Sequence, residues 1–132
     1  MNEVFEFLTE NPTFYLATID GDQARVRPFG AIAKFEDKLY FVTNNTKDVF
    51  KQLTANPKVE ISTTSSKGEW LRLSGNAVID PRVEAKAAML EANPMLKKMY
   101  SAEDGVVEVF YLTDAVAVIN SFSSDEPKTI KF

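Results

Sequence analysis

Residues 13–43 read TFYLATIDGDQARVRPFGAIAKFEDKLYFVT. The first part of this stretch, residues 13–19, is rich in aromatic and β-branched side chains, which favour a β-strand. Asp20-Gly21 follows, and this pair between two such segments is a strong hairpin signal. The return strand is predicted from Gln23 to Phe35. Pro28 within it indicates an edge strand or a bulge, because proline cannot donate a hydrogen bond to a neighbouring strand. After a turn at residues 36–38, residues 39–43 form the third strand.

The rest of the chain combines short helices with further strands. Apolar side chains at helical spacing predict helices over residues 2–10 and 46–55, the second beginning at about Thr46. Asp80-Pro81 predicts the start of a third helix that ends near Ala92, with Asp80 as the N-cap. More strands are expected over residues 59–63, 69–79, 106–112 and 115–122, with a bulge at Gly75, and residues 128–132 could add a final short one. Six to seven antiparallel strands with short flanking helices predict a mainly β or α+β fold, a small barrel, in one domain over residues 1–132.

Composition narrows the chemistry open to the protein. The 132 residues include no cysteine and no histidine, which excludes disulfide scaffolds, Cys/His zinc sites, thiol nucleophiles and histidine-based triads. The net charge of −4 argues against nucleic-acid binding. No apolar segment reaches the roughly 20 residues of a membrane span, and acidic residues stand where a signal peptide carries Lys or Arg. We therefore expect a soluble cytoplasmic protein without nucleic-acid or membrane partners.

Arg25 and Arg27 form the first candidate binding element. Side chains alternate along a strand, so both guanidinium groups point to the same side. They repel each other unless an anion lies between them, and arginine binds phosphate in a bidentate manner. Pro28 and Gly30 distort the strand directly afterwards, which lets backbone amides approach a ligand. The alternative is a solvated strand face on which the arginines pair with Glu or Asp.

Residues 43–47 form the second candidate. A strand ends at Thr43 and a helix begins near Thr46, and the unpaired amides of a helix N-terminus are a ready phosphate site. Lys47 in the first turn opposes the helix dipole, and a bound phosphate would compensate for that. Alternatively, Asn45 or Thr46 is only a cap and Lys47 only a solubilising charge.

Aromatic residues give weaker signals. Trp70, the only tryptophan, stacks on a flat ligand, lies at a subunit interface or fills the core. Tyr40 and Tyr100 are candidate proton donors, and a structural role is the alternative for each. The sequence contains no metal-binding motif and assigns no catalytic residue.

In their order and spacing, these segments resemble the pyridoxamine-phosphate-oxidase-like family of FMN-binding split barrels. The resemblance covers residues 1–122. Within the family, this short chain without histidine looks most like the small bacterial proteins grouped near nitroimidazole-reductase-like members. The matching runs are Thr18-Ile19-Asp20-Gly21, Arg25-Val26-Arg27-Pro28-Phe29-Gly30, Leu39-Tyr40-Phe41-Val42-Thr43-Asn44, Thr46-Lys47, Gln52-Leu53, Asn56-Pro57-Lys58-Val59 and Leu71-Arg72-Leu73-Ser74-Gly75.

The resemblance implies a split β-barrel that forms a homodimer with two FMN sites at the subunit interface. It also implies roles for the second-strand segment. Arg27 would contact the FMN phosphate, with Arg25 as a helper, and Pro28, Phe29 and Gly30 would follow along the edge of the flavin.

The remaining site residues implied by the resemblance are Thr43, Thr46, Lys47 and Trp70. Thr43 would lie beside the flavin, Thr46 and Lys47 would hold the phosphate, and Trp70 would reach from the partner subunit toward the isoalloxazine ring. We therefore expect a cytoplasmic FMN-dependent oxidoreductase in which the flavin carries the electrons. Its substrate is a small molecule of unknown identity, and NADH or NADPH is a candidate reductant. The alternative is a non-catalytic flavin- or ligand-binding module, since fold does not fix function.

Overall fold

The computed structural model describes residues 1–123 and 126–132, in which short helices are interspersed with eight strands. In chain order, the elements are α1 (Asn2–Glu10), β1 (Phe14–Asp20), β2 (Gln23–Phe29), β3 (Ile32–Phe35), β4 (Lys38–Asn44), α2 (Asp48–Ala55), β5 (Lys58–Thr64), β6 (Glu69–Asp80), α3 (Val83–Ala92), a 3-10 helix (Pro94–Lys98), β7 (Val107–Ser121) and β8 (Lys128–Lys131). None of the helices in these described ranges has the length and apolar character needed to cross a bilayer.

The strands form one antiparallel sheet in the order β2-β1-β5-β6-β7-β4-β3, and β8 pairs with the C-terminal half of β7. The sheet is open, with β2 and β3 at the two ends of this order. An open antiparallel sheet with short helices confirms the predicted fold class, mainly β or α+β with split-barrel architecture.

The continuous return strand predicted from Gln23 to Phe35 is wrong. β2 ends at Phe29 and pairs with β1, whereas β3 begins at Ile32 and pairs with β4 at the other end of the sheet. The chain therefore crosses between the two ends of the sheet within two residues. Pro28 lies on an edge strand, as its missing N–H predicts. This break adds one strand to the prediction, the fusion of residues 106–112 and 115–122 into β7 removes one, and with β8 the described residues contain eight strands against the six to seven predicted.

Two helices begin later than predicted. α2 begins at Asp48 rather than Thr46, and Lys47 is its N-cap in an extended conformation. α3 begins at Val83 rather than at the Asp80-Pro81 pair. In both cases a side chain upstream of the helix accepts a backbone N–H two residues later and closes a turn, which delays the first helical residue.

β6 and β7 form a long pair with one irregularity. The predicted bulge at Gly75 is confirmed, because the register shifts between Ser74 and Asn76. The two predicted strands over residues 106–112 and 115–122 are one strand, β7. At the predicted turn between them, the chain only bends, with Asp114 at a φ of 51°.

Two apolar clusters hold these elements together. The main core packs α1 and α2 against the sheet around the ring cluster of Phe14, Phe41 and Phe110. A second cluster packs α3 and the 3-10 helix against β3, β4 and β7 through Met89, Leu96 and their neighbours. Burial of each such side chain contributes roughly 1.5–3 kcal/mol. The second cluster places the 3-10 helix opposite the ends of β2 and β4.

Candidate functional site

A cavity of about 340 Å³ lies where the ends of β2 and β4 meet the start of α2 and the 3-10 helix. This volume falls within the range of roughly 300–1,000 Å³ that is typical of small-molecule sites. We call it the main cavity. Its lining residues are Arg27, Pro28, Phe29, Gly30, Ala31, Val42, Thr43, Lys47, Val49, Asn93, Met95, Leu96, Met99 and Tyr100.

The guanidinium of Arg27 is fixed at the polar end of the main cavity. Nη1 donates to the Leu16 carbonyl at 3.2 Å and to Thr18 Oγ1 at 2.8 Å, and Nη2 donates to Gln52 Oε1 at 2.7 Å. The Thr18 hydroxyl also donates to Gln52 Oε1, at 2.6 Å. A guanidinium has five N–H groups, so two of them have no acceptor in the described part of the chain. Arg27 is therefore held in one orientation with donors left for an anion.

The electrostatic surroundings of Arg27 favour a bound anion. Partial burial lowers the pKa of the Arg27 guanidinium, the nearby charge of Arg25 lowers it further, and Asp48 raises it. Desolvation and a like charge both disfavour the charged form of the guanidinium. An anion in contact with Arg27 would oppose both effects.

A second recess adjoins the main cavity at Arg27 and Lys47, which line both. Lys47 is exposed at the N-cap of α2 and has no ion pair within residues 1–123 and 126–132. Arg25 in this recess is already paired, with its Nε 3.1 Å from Oδ2 of Asp20. Asp20 and Asp48 are the acidic residues that line the recess, and because Asp20 pairs with Arg25, Asp48 is left to oppose the two unpaired cations. The polar end of the main cavity therefore carries a net positive charge.

Thr43 contributes an unused hydrogen-bonding group. Its side chain is 3% exposed, it lines the main cavity, and its Oγ1 has no hydrogen-bond partner among the described residues. A buried hydroxyl without a partner costs about 1–3 kcal/mol. A polar ligand in the main cavity would satisfy this hydroxyl.

The other end of the main cavity is apolar. Met95 and Met99 of the 3-10 helix region are 75% and 67% exposed, and Leu96 between them is buried in the second cluster. Val42 lines the opposite side, at the end of β4. Methionine side chains adapt to the faces of flat rings, so this end suits a planar ligand.

One hydroxyl that borders the main cavity is fixed by a side-chain hydrogen bond. Tyr100 follows the 3-10 helix and lines the main cavity, and its hydroxyl accepts a hydrogen bond of 2.7 Å from Nδ2 of Asn44. Asn44 Oδ1 accepts from the backbone N–H of Thr46 at 3.0 Å and from its hydroxyl at 2.6 Å. The turn before α2 thus holds the hydroxyl of a tyrosine that lines the main cavity.

The structure brings together most of the residues that the sequence singled out. Arg25 lies in the adjoining recess, and Thr46 supports Asn44 rather than lining the main cavity. Trp70 lies elsewhere. The centroid of its ring is 4.6 Å from that of Phe122, and it lines neither the main cavity nor the adjoining recess. The six predicted residues that line the main cavity are Arg27, Pro28, Phe29, Gly30, Thr43 and Lys47.

Sequence reasoning gave no role to several residues that shape the site. Thr18 and Gln52 position Arg27 but belong to different elements, so no local pattern links them. Met95 and Met99 carried a usable signal, because two methionines four residues apart on a short helical segment lie on one face. The run Asn44-Asn45-Thr46 does predict capping side chains before the helix, and Asn44 is the residue that closes the turn.

Tyr40 is engaged elsewhere. Its buried hydroxyl donates to Oδ2 of Asp80 at 2.7 Å, and burial, together with this carboxylate, raises the pKa of Tyr40 to about 12. Asp80 is in turn bound by Arg82. Tyr40 does not line the main cavity, so of the two candidate tyrosines only Tyr100 borders it.

The main cavity therefore combines cationic donors and an orphaned hydroxyl with an apolar slot that contains one phenol. This donor set fits an anionic group joined to a planar ring, which is the chemistry of a flavin nucleotide. No cluster of His, Cys, Asp and Glu suited to a metal ion occurs in the described residues. By its fold and its site, the protein is a split barrel with a small-molecule cavity beside the second strand.

Comparison with known proteins identifies the family. Residues 1–115 match the family described as Pyridoxamine 5'-phosphate oxidase, and the chain belongs to this family. This confirms the resemblance inferred from the sequence. No curated protein matches the chain.

Solved structures agree with this assignment. A NimC/NimA family protein from Clostridium acetobutylicum is 51% identical with a TM-score of 0.95, and the match covers 100% of this chain and 93% of that one. General Stress Protein 26 from Bacillus anthracis is 16% identical with a TM-score of 0.77, over 99% and 97% of the two chains. A Clostridium acetobutylicum protein related to general stress protein 26 of B. subtilis (pyridoxinephosphate oxidase family) is 15% identical, with a TM-score of 0.74 over 99% and 93%. The last two similarities show the fold alone.

Proposed function

We propose that this protein is a cytoplasmic, homodimeric FMN-dependent oxidoreductase that acts on a small molecule. The observation that carries the proposal is the state of Arg27. Three protein acceptors lock its guanidinium, and two N–H groups remain for a ligand in a cavity that Lys47 and Thr43 also line. A phosphate supplies the negative charge and the acceptor oxygens with which these donors can pair.

The residues of the main cavity would divide the work of binding. Arg27 and Lys47 would hold the phosphate, the Thr43 hydroxyl would bond a polar atom of the ligand, and Phe29 would pack along its edge. When bound, FMN supplies the electron transfer that a chain without cysteine or histidine cannot perform itself. The apolar wall of Met95 and Met99 would exclude water from the ring. The protein's own contribution is thus orientation and electrostatics.

A second copy of the chain would complete the site. Met95 and Met99 expose large apolar surfaces at the mouth of the cavity. Trp70 does not line the cavity of its own chain, so a contact with the flavin requires the partner subunit. Burial of exposed apolar side chains is the usual driving force of such dimers.

The binding proposal is tested by comparing FMN with riboflavin, which has the same ring but no phosphate. Arg27→Ala should weaken FMN binding by about 1.5–3 kcal/mol, the usual contribution of a charged hydrogen bond, and leave riboflavin binding nearly unchanged. Lys47→Ala should act in the same direction more weakly, because Lys47 is exposed. Fluorescence titration of each flavin measures the affinities.

Arg72→Ala is the matched control, because Arg72 is exposed on β6 and lines neither the main cavity nor the adjoining recess. It removes the same charge and should leave both affinities unchanged. Equal losses of FMN affinity in Arg27→Ala and Arg72→Ala would refute the phosphate role. So would equal affinities of the unmodified protein for FMN and riboflavin.

Turnover is a separate question from binding. In an enzyme, NADH or NADPH should reduce the bound flavin, and a small electron acceptor should re-oxidise it; the loss and return of the visible absorbance of the oxidised flavin measure both steps. A bound flavin that neither nucleotide reduces would favour the non-catalytic module. The conclusion of the FMN and riboflavin titrations about phosphate binding would not be affected by that result.

A further inference from the structure

Asn44 fixes the direction in which Tyr100 presents its proton. Asn44 Oδ1 accepts from the backbone N–H of Thr46, a group that can only donate, so the amide cannot be turned over without loss of that bond. Nδ2 therefore faces Tyr100 and donates to its hydroxyl oxygen. Tyr100 in turn keeps one proton that has no acceptor within the described part of the chain. The hydroxyl is thus a directed donor rather than a freely rotating group.

The surroundings of this donor limit what can accept from it. Val42, Leu96 and Met99 line the same cavity, and none of them offers a charge or a strong acceptor. The cations Arg27 and Lys47 belong to the end that is shared with the adjoining recess. A ligand without an acceptor would leave the phenol unpaired, which is costly beside apolar side chains.

We propose that Asn44 and Tyr100 form a hydrogen-bond donor site beside the apolar lining of the main cavity, and that this site binds a carbonyl oxygen of a flat conjugated ring. Tyr100 makes the contact, and Asn44 is a positioning residue. The proposal rests on the proposed function in one respect, because it takes the ring to be that of a flavin or of a substrate of the flavin. Both sources share the same conjugated carbonyl chemistry.

The test compares ligands that differ in the acceptor oxygen. The probes are 2-methyl-1,4-naphthoquinone and 2-methylnaphthalene, which share a ring skeleton, together with FMN and riboflavin. Tyr100→Phe removes only the hydroxyl, and Tyr15→Phe is the matched control, because Tyr15 is exposed and does not line the main cavity. Equilibrium dialysis measures each affinity, and circular dichroism checks that the variants fold.

In Tyr100→Phe, we expect the affinity for the naphthoquinone or for both flavins to fall by roughly 3–10-fold, the effect of one hydrogen bond. The affinity for 2-methylnaphthalene should not change. A loss confined to the flavins identifies the flavin ring as the source of the carbonyl, and a loss confined to the quinone identifies a substrate. Losses no larger than those of Tyr15→Phe, equal losses for 2-methylnaphthalene, or no binding of any probe would overturn the proposal.

Asn44→Asp tests the orientation itself. A carboxylate keeps both acceptor contacts with Thr46 but replaces the Nδ2 donor by an acceptor, so the Tyr100 proton would turn away from the cavity. The naphthoquinone affinity of Asn44→Asp should fall by the same factor as that of Tyr100→Phe. The variant that carries both substitutions should show no larger loss. Unchanged quinone affinity in a folded Asn44→Asp protein would overturn the role of Asn44. If the protein binds the quinone through Tyr100 but does not bind FMN, the donor site stands and the proposed function falls.

Discussion

Three acceptors hold the guanidinium of Arg27, and they come from distant parts of the sequence. Leu16 and Thr18 lie on the neighbouring strand β1, whereas Gln52 lies 25 residues beyond Arg27 on α2. Because the guanidinium is already immobilised, a bound anion loses little additional entropy in ordering it. Spacing alone predicted that Arg25 and Arg27 share a face of the strand. It could not predict that Asp20 neutralises Arg25 and leaves Arg27 as the available cation.

A second polar network lies away from the main cavity and joins the β3–β4 turn, β4, the end of β6 and the start of α3. Arg82 bonds Asp80 and also Glu36 at the β3–β4 turn, and Asp80 accepts from the buried Tyr40 hydroxyl. The hydrogen bonds from Arg82, and also the one from Tyr40, lower the pKa of Asp80 to about 2, below its ordinary value of 3.8. The ionised carboxylate is thus the form that the fold stabilises.

The stability of the protein should therefore depend on pH through Asp80. A folded-state pKa below the unfolded value stabilises the protein above about pH 4, and this contribution is lost as the pH falls from about 4 to about 2. Asp80→Asn should lower the free energy of unfolding at pH 7 by about 2 kcal/mol, which corresponds to the pKa difference. Urea denaturation at pH 7, 4 and 2.5 measures this difference between the two proteins.

The decisive result is the pH dependence of that difference. It should shrink as Asp80 becomes protonated in the unmodified protein, and it should be smallest at pH 2.5. A difference that is the same at pH 7 and pH 2.5 would mean that the Asp80→Asn substitution lowers stability through packing rather than through charge. It would also contradict the low pKa assigned to Asp80.

At the scale of elements, the crossing from β2 to β3 determines where the main cavity forms. β2 ends at Phe29, and β3 begins at Ile32 at the opposite end of the sheet, so the main cavity lies beside this crossing. A single sequence shows that the strand is interrupted there, but not which strands the two halves pair with. That pairing depends on long-range contacts, which no local pattern encodes.

Gly75 lies where β6 bulges against the bend in β7. A Cβ at this position would come within 3.1 Å of the Thr113 carbonyl oxygen and 3.2 Å of Leu112 Cβ. The first contact is with backbone in a long strand pair, which cannot move independently of its neighbours. Gly75→Ala should therefore destabilise the protein by about 1–3 kcal/mol, the usual cost of overpacking. Urea denaturation at pH 7 measures the effect.

Gly30→Ala provides the matched control for stability. A Cβ at Gly30 would lie 3.5 Å from the Pro12 carbonyl oxygen, an ordinary contact, and Gly30 does not have a positive φ. Its substitution should change the free energy of unfolding by less than about 1 kcal/mol. Equal effects of the two substitutions would show that the bulge at Gly75 has room for a side chain.

Across the whole molecule, the sequence predicted the elements better than their arrangement. Hairpin signals and alternating apolar residues located most strands, and the phosphate-compatible residues Arg27 and Lys47 came from strand spacing and from a helix start. The apolar end of the cavity was not predicted, because the 3-10 helix reaches it only through the packing of α3 on β3, β4 and β7. Tyr100 lies 56 residues from Asn44, so their contact is a property of the fold.

The position of Trp70 bears on the assembly of the molecule. It packs against Phe122, which is largely exposed, and both rings lie apart from the main cavity of the same chain. In a symmetric dimer, a residue remote from its own site can complete the site of its partner. The homodimer proposal therefore predicts that Arg27 and Trp70 of one flavin site come from different chains.

Mixed dimers of two defective variants test this prediction. Arg27→Ala and Trp70→Ala proteins, unfolded together in urea and refolded, should form hybrids in which one site has both residues and the other has neither. Random pairing would then restore the unmodified FMN affinity and flavin spectrum in about a quarter of the sites, whereas each variant refolded alone should restore none. Trp70→Phe in place of Trp70→Ala keeps an aromatic ring and should reduce the initial defect. If the mixture behaves as the average of the two variants, or if sedimentation shows only monomers, Trp70 does not act across a dimer interface.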